Sequence, residues 1–340
     1  MRHSLPAFAM LLALWLAPGL WAGNRPLQIY FVDVEGGQAT LIVSPLHQSL
    51  LVDTGWGDFN GRDAERIIAA AKAAHLKQLD YVLITHYHDD HVGGVTQLAQ
   101  RIKIGEFVDH GPNREDSDDT RANYAAYQKV VAHAAHMTLQ PGEGLPFKGI
   151  QVQVLTADGE FISTPLPGAG EANPYCADQP QWPVDKSENA RSLGVLVTYG
   201  KFRFLDLGDL TKRKEVELVC PNNLVGTVDL FLISHHGMNL SNSKSLVWAL
   251  HPRVAIMDNG AHKGGSPEAW QTVHDSPGLE GFWQLHRAED AGPAHNVDER
   301  FIANLADKPD AGHFIKVQAE RDGAFTVENA RNKFAKTYGK

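Results

Sequence analysis

Cysteine is almost missing from this chain: only Cys176 and Cys220 occur in 340 residues. Two thiols exclude a disulfide-dense scaffold, and neither has the partner spacing of a zinc–thiolate site. In an oxidising compartment the pair could form one disulfide; in a reducing one they would stay two thiols. Past the N-terminal segment, no apolar run reaches the roughly 20 residues that a membrane span needs. A basic excess is also lacking, with 31 Lys and Arg against 40 Asp and Glu and a net charge of −9. That balance disfavours a general nucleic-acid binder, although it leaves room for a local basic patch. There is no repeat at a solenoid period and no low-complexity tract, so repeat arrays are excluded.

What is present begins with a targeting segment. Arg2 and His3 make a short basic start, Ala7 to Leu16 is apolar, and Pro18-Gly19 breaks the run before the small residue Ala22. Residues 1–22 therefore read as a cleaved export signal, although Leu20 is a poor residue two places before the cut; the alternative is an uncleaved anchor. The expected product is an exported, periplasmic or secreted chain of residues 23–340 with no membrane span. It carries 30 basic and 40 acidic residues once Arg2 is removed. Its length suits one large two-layered α/β domain, and no clean linker divides it.

Three short β-rich runs, Leu27 to Asp33, Ala39 to Val43 and Ser49 to Asp53, are separated by Gly36-Gly37 and Pro45 and predict an antiparallel meander. Arg62 to His75 has helical spacing, and a further helix starts near Val95. A polar loop after Gly111 leads into a helix expected to run on through His133 and His136. Residues 157–190, rich in Pro, Gly, Asp and Gln, read as a long surface insertion. Strands resume at Leu193 to Tyr199, Phe202 to Leu205, Val228 to Ser234, Val254 to Met257 and Phe282 to Leu285, with helices near 243–250 and 267–275. Two batches of strands with helices outside predict a four-layered αββα sandwich.

The chemistry concentrates in Thr85-His86-Tyr87-His88-Asp89-Asp90-His91, directly after the apolar run Tyr81-Val82-Leu83-Ile84. Three imidazoles and two carboxylates at the end of a buried strand would be costly unpaired, and they are the donors that divalent metals take. His86 and His88 alternate by two and can share one metal, while Asp90 and His91 can reach a second. Two later strands end the same way. Leu205 to Leu207 leads to Gly208-Asp209, placing Asp209 to bridge two cations, with Asp206 the competing carboxylate. Phe231-Leu232-Ile233 leads to Ser234-His235-His236-Gly237, a His pair that can close the set.

These residues resemble the metallo-β-lactamase superfamily, whose HxHxDH signature is here His86-x-His88-x-Asp90-His91. The likeness is strongest to the branch typified by the soluble domain of the competence DNA-uptake channel protein, and by phosphorylcholine esterases. It extends through Asp33 to Ala39, Val52-Asp53-Thr54-Gly55, Asn189 to Leu193, Leu207-Gly208-Asp209 and Ser234 to Gly237, covering about residues 28 to 290. It implies the αββα fold and a two-metal site at one edge of the sheets. The expected assignment gives His86 and His88 to one metal, Asp90, His91 and His236 to the other, with the roles of His235 and His236 open to reversal, and Asp209 to both. Asp53 becomes a carboxylate beneath the metal loop rather than a ligand.

Many relatives supply a third His to the first metal, and this chain has no clear counterpart. His110 ends a short β-like run and could face the site as ligand or substrate contact. Asn189 and Ser192 lie in the Asn-x-x-Ser segment that the competence branch places near the metals. His262, in a Gly-rich loop, is a candidate substrate contact at the rim. Two cations would make water a nucleophile at neutral pH, with His235 free to meet a substrate oxyanion or protonate a leaving group. The expected function is an exported metal-dependent hydrolase acting on phosphodiesters or another small-molecule substrate. The alternatives are a lactone, β-lactam or other ester hydrolase, and a non-catalytic metal- or nucleic-acid-binding module. Zn²⁺, Mn²⁺ and Fe all accept this donor set.

Overall fold

Successive residues of a strand face opposite ways, so a strand covered on both faces is apolar at every position. The computed structural model, which describes residues 25–177, 180, 182–306 and 312–340, has its central strands of this kind. The expected export signal, residues 1–22, lies outside the described residues. The chain opens with the anticipated antiparallel meander of β1 (Leu27–Phe31), β2 (Thr40–Val43) and β3 (Ser49–Val52). Helix α1 (Arg62–Ala73) crosses over to β4 (Gln78–Leu83), which pairs parallel with β3. The short helices α2 (Asp89–Val92) and α3 (Val95–Ala99) then lead to β5 (Lys103–Asp109). Helix α4 (Asp118–Val131) connects it to β6 (Ala135–Thr138), again in parallel.

The second half builds a second sheet. It starts with β7 (Gly144–Leu145), β8 (Gln151–Ala157), β9 (Glu160–Phe161), β10 (Gly194–Tyr199) and β11 (Phe202–Asp206), paired antiparallel. Helices α5 (Lys212–Val219), α6 (Lys244–Leu250) and α7 (Pro267–His274) then alternate with the parallel strands β12 (Leu230–Leu232), β13 (Val254–Met257) and β14 (Gly281–His286), and β15 (Ile302–Asn304) closes that edge. Strands β16 (Ile315–Ala319), β17 (Phe325–Asn329) and β18 (Ala335–Tyr338) return to the first sheet, where β16 pairs with β1.

Alternation sorts the core into layers. Leu50 and Val52 face inward with Phe204, Leu230, Leu232, Val254 and Ile256, while Leu51 faces outward with Ile67, Ala70 and Ala71 of α1. On the other side Phe231, Ala255 and Met257 pack against Leu218, Leu246 and Val273 of the second helix layer. The result is helix, sheet, sheet, helix, as the sequence predicts. No helix among the described residues is long and apolar enough to cross a membrane.

Three features differ from expectation. Helix α4 stops at Val131, so His133 falls in the following turn and His136 in β6, where parallel pairing with Phe107 overrides helical continuation. The 157–190 segment is not wholly superficial: Ile162 and Leu166 join the outer core and Glu188 is buried. It is tied to the end of α5 by the Cys176–Cys220 disulfide, the pairing that the sequence left open. Finally, β16 to β18 extend the fold beyond the last strand that the sequence reading recognised.

Candidate metal centre

The carboxyl ends of parallel strands are where open α/β sheets gather ligands. Here the turns after β3, β4, β11, β12 and β13 meet, delivering Asp53, His86 to His91, Asp209, His235–His236 and Asp258. Asp209 lies at the middle. Its Oδ2 is 3.2 Å from His91 Nε2, 3.3 Å from His235 Nε2 and 4.0 Å from His86 Nε2, and its Oδ1 is 3.5 Å from His236 Nε2. Asp90 Oδ2 is 3.1 Å from His236 Nε2 and 3.3 Å from His91 Nε2. One ligand atom from each of Asp90, His91, Asp209 and His236 lies within 4.8 Å of all the others, and all four residues are buried.

The imidazoles show what the centre is built to hold. Each has an outward nitrogen facing an oxygen. His91 Nδ1 is 2.7 Å from Asp53 Oδ2, His86 Nδ1 is 3.0 Å from Thr85 Oγ1, His88 Nε2 is 3.0 Å from Glu115 Oε2, and His236 Nδ1 is 3.3 Å from Asp258 Oδ2. Donating outward leaves His86, His88 and His91 each a lone pair pointing inward, whereas the His236–Asp258 approach is one of charge without a hydrogen bond. Those inward nitrogens then confront one another: His86 Nε2 and His88 Nδ1 are 3.1 Å apart, and His91 Nε2 and His236 Nε2 are 3.3 Å apart. Facing lone pairs beside two carboxylates repel unless a cation lies among them, so the donor set fits divalent metal.

Titration behaviour has the same cause. Burial alone would raise Asp90 and Asp209, but the surrounding imidazoles hold both well below the usual carboxylate range. Burial alone would lower His91 and His236, yet Asp209 helps drive His91 well above its ordinary value, and Asp209 with Asp258 pushes His236 up to about 10. His86, buried beside two other imidazoles, falls well below.

The backbone is specialised too. His235, His236 and Gly237 occupy the left-handed region at φ 57°, 54° and 79°, a rare run that turns both rings back from the end of β12. Gly37 is required by close approach, since a Cβ there would lie 2.3 Å from the carbonyl oxygen of Asp90. Asp53, at φ 61°, accepts from the Thr85 backbone N–H at 2.8 Å and its hydroxyl at 2.7 Å, so it fixes the loop that carries His86.

The weaker candidates scatter. His110 is buried but turns to Glu188, 3.1 Å from its Oε2, and stands outside the ligand cluster. Ser192 lies at the floor: its Oγ accepts from the Asp209 backbone N–H at 3.2 Å and is 3.5 Å from His86 Nδ1. Asn189 is buried in the turn just before it. His262 is exposed and its Nδ1 pairs with Asp290 Oδ1 at 3.1 Å. Asp206 accepts from Gln38 and from the Gly208 backbone, and burial pushes it up to about 7. His235 reaches Asp209 through Nε2 and Ser241 through Nδ1 at 3.3 Å.

Three participants went unread in the sequence. Lys263, next to His262, places its ammonium against Asp90 and 4.6 Å from the Trp56 ring centroid. Asp258 directly follows β13 and backs His236, a position that the strand-end rule could have flagged. Glu115 comes from a polar loop and gave no local signal. Beside His88 a cleft of about 770 Å³ opens, lined in part by Trp56, Asp89 and Asn123.

Residues 32–179 match the model of the Metallo-beta-lactamase superfamily. The chain is 25% identical over 253 residues to Recombination protein 2 of Haemophilus influenzae, covering 74% of this chain and 26% of that one. It is 24% identical over 249 residues to ComE operon protein 3 of Bacillus subtilis, covering 68% of this chain and 28% of that one. It thus spans about a quarter of the length of these relatives. Among solved structures, the metallo-beta-lactamase fold protein YhfI from Bacillus subtilis aligns with TM-score 0.47 and 14% identity, covering 76% of this chain and 96% of that one.

Proposed function

Because the chain carries a metallo-beta-lactamase superfamily domain, we propose that it is an exported two-metal hydrolase whose substrates are phosphodiesters. The observation that carries the metal reading is the convergence of Asp90, His91, Asp209 and His236 within 4.8 Å, extended by His86 and His88. In this reading His86 and His88 would hold the first metal, Asp90, His91 and His236 would hold the second, and Asp209 would serve both. Divalent cations supply Lewis acidity, which polarises a phosphoryl or carbonyl oxygen and makes water a nucleophile at neutral pH. Zn²⁺ suits the mixture of imidazole and carboxylate, and Mn²⁺ or Fe would also be accepted.

The chain's own groups supply position and charge. Asp209 fixes the spacing of the two halves of the centre. His235, buried with Nε2 3.3 Å from Asp209 Oδ2, is the group assigned to meet a substrate oxyanion or protonate a leaving group. Lys263, partly exposed at the mouth, adds a cation where an anionic ester would arrive. Phosphodiesters are favoured by this lysine and by the sequence likeness to the competence and phosphorylcholine esterase branch, which is an argument by analogy. Export rests on the signal-like residues 1–22, and N-terminal sequencing of protein recovered from the periplasm should begin at Gly23.

The deciding experiment is metal analysis of the purified protein with turnover assays on phosphodiesters, lactones, β-lactams and thioesters. Two metal equivalents and phosphodiester cleavage are expected. Asp209→Asn should reduce kcat by a hundredfold or more, on the order of 3 kcal/mol of transition-state stabilisation. Fewer than two equivalents and no turnover on any substrate would instead identify a non-catalytic binding module.

A further inference from the structure

The residues assigned to the first metal are few: His86, His88 and Asp209. Both histidines lie in the loop after β4, and His88 is the more exposed of the two. Its ring is nevertheless held. Glu115 Oε2 lies 3.0 Å from His88 Nε2 and also accepts the Glu188 backbone N–H at 2.8 Å. Both neighbours are donors, so this oxygen is committed to them rather than to the metal cluster.

Glu188 completes a brace. It is fully buried, at 0% exposure, at the end of the 157–190 segment. Its Oε1 accepts the Arg114 backbone N–H at 2.7 Å, which with the Glu188 N–H to Glu115 bond makes a reciprocal pair across the two loops. Its Oε2 takes His110 Nε2 at 3.1 Å and the Tyr87 backbone N–H at 3.4 Å, between the two metal histidines. One carboxylate thus holds the backbone before His88 and the loop that orients its ring. Asn113 adds a local turn by accepting the Glu115 N–H at 2.9 Å, and α4 begins just beyond.

Resting on the two-metal reading above, we propose that Glu115, braced by Glu188, is the positioning residue of the first metal site. It fixes His88 as the tautomer that donates from Nε2 and offers Nδ1 to the metal. Carboxylates in this outer position raise ligand basicity, and their loss costs 10–100-fold in metal affinity. The 157–190 segment thereby becomes a determinant of metal retention.

The test is Co²⁺ titration of metal-stripped full-length protein, following visible d–d absorption and competition with a chelator. Wild type should bind two equivalents. Glu115→Ala should weaken one of them 10–100-fold and leave the other unchanged, with an altered spectrum for the weakened site. Glu115→Gln keeps an acceptor oxygen and should recover most of that loss, a grading that general destabilisation would not produce. Glu188→Gln should weaken the same equivalent. Two equivalents at wild-type affinity in Glu115→Ala would overturn the proposal while leaving the two-metal reading intact. Failure of wild type to bind cobalt would overturn both.

Discussion

Among individual residues, the decisive property is which atom of each histidine is left free. Asp53 settles this for His91 and also secures Thr85, so one buried carboxylate serves three donors. Asp53→Asn keeps the shape and tolerates φ 61°, because Asn accepts the left-handed region. It must still turn an amide N–H toward a donor. Chemical denaturation of the metal-free variant should therefore show a loss of about 1–3 kcal/mol, and the second metal should bind more weakly. The sequence made the contiguous candidates legible because His86 to His91 are covalent neighbours, and made Asp209 and the His235–His236 pair legible because each follows a buried strand, while the choice within that pair stayed open. Glu115, Glu188 and Lys263 were not legible. Ordinary polar loops carry them, and only the packing of those loops gives each its partner.

For the elements, buried runs bounded by Gly and Pro predicted the meander and the parallel strands well. The helix entering β6 was overextended, since Ala and Val positions continue a helical period that pairing with β5 cuts short. The C-terminal strands were missed although Ile315, Val317 and Ala319 alternate with Lys316 and Gln318, a period-2 signal that lies beyond the stretch of family likeness. The 157–190 segment was read as superficial because it lacks periodicity; its order comes from the disulfide, from Ile162 and Leu166, and from the buried Glu188. Reducing Cys176–Cys220 should cost roughly 4 kcal/mol for a closed loop of this length. Denaturation with and without reductant measures it, and an unchanged midpoint would show that the disulfide adds no stability.

For the whole molecule, stability should follow both pH and metal. Glu215 joins α5 to α6 by accepting the Asn242 and Ser243 backbone N–H groups, and burial pushes it up to about 7 from 4.5. The unfolded chain loses this proton first, so the folded state's advantage declines as pH rises from about 4.5 to about 7 and is level above. Relative to Glu215→Gln, wild type should lose on the order of 3 kcal/mol across that window. Urea unfolding of both proteins at pH 4.5 and pH 8 tests this, and parallel behaviour would refute it. If metal binds the folded centre as proposed and not the dispersed ligands of the unfolded chain, chelation should lower Tm and added Zn²⁺ should raise it with concentration. A Tm indifferent to both would mean that the centre does not hold metal.

By itself the sequence determined the layered α/β architecture, through strands apolar at every position, and the candidate metal donors, through imidazoles and carboxylates placed where such strands end. Tertiary structure alone decided how those donors are completed and oriented. The His235–His236 turn, the Asp258 and Glu115 supports and the Lys263 ammonium all depend on which loops pack together. That packing is a long-range property that no local spacing encodes.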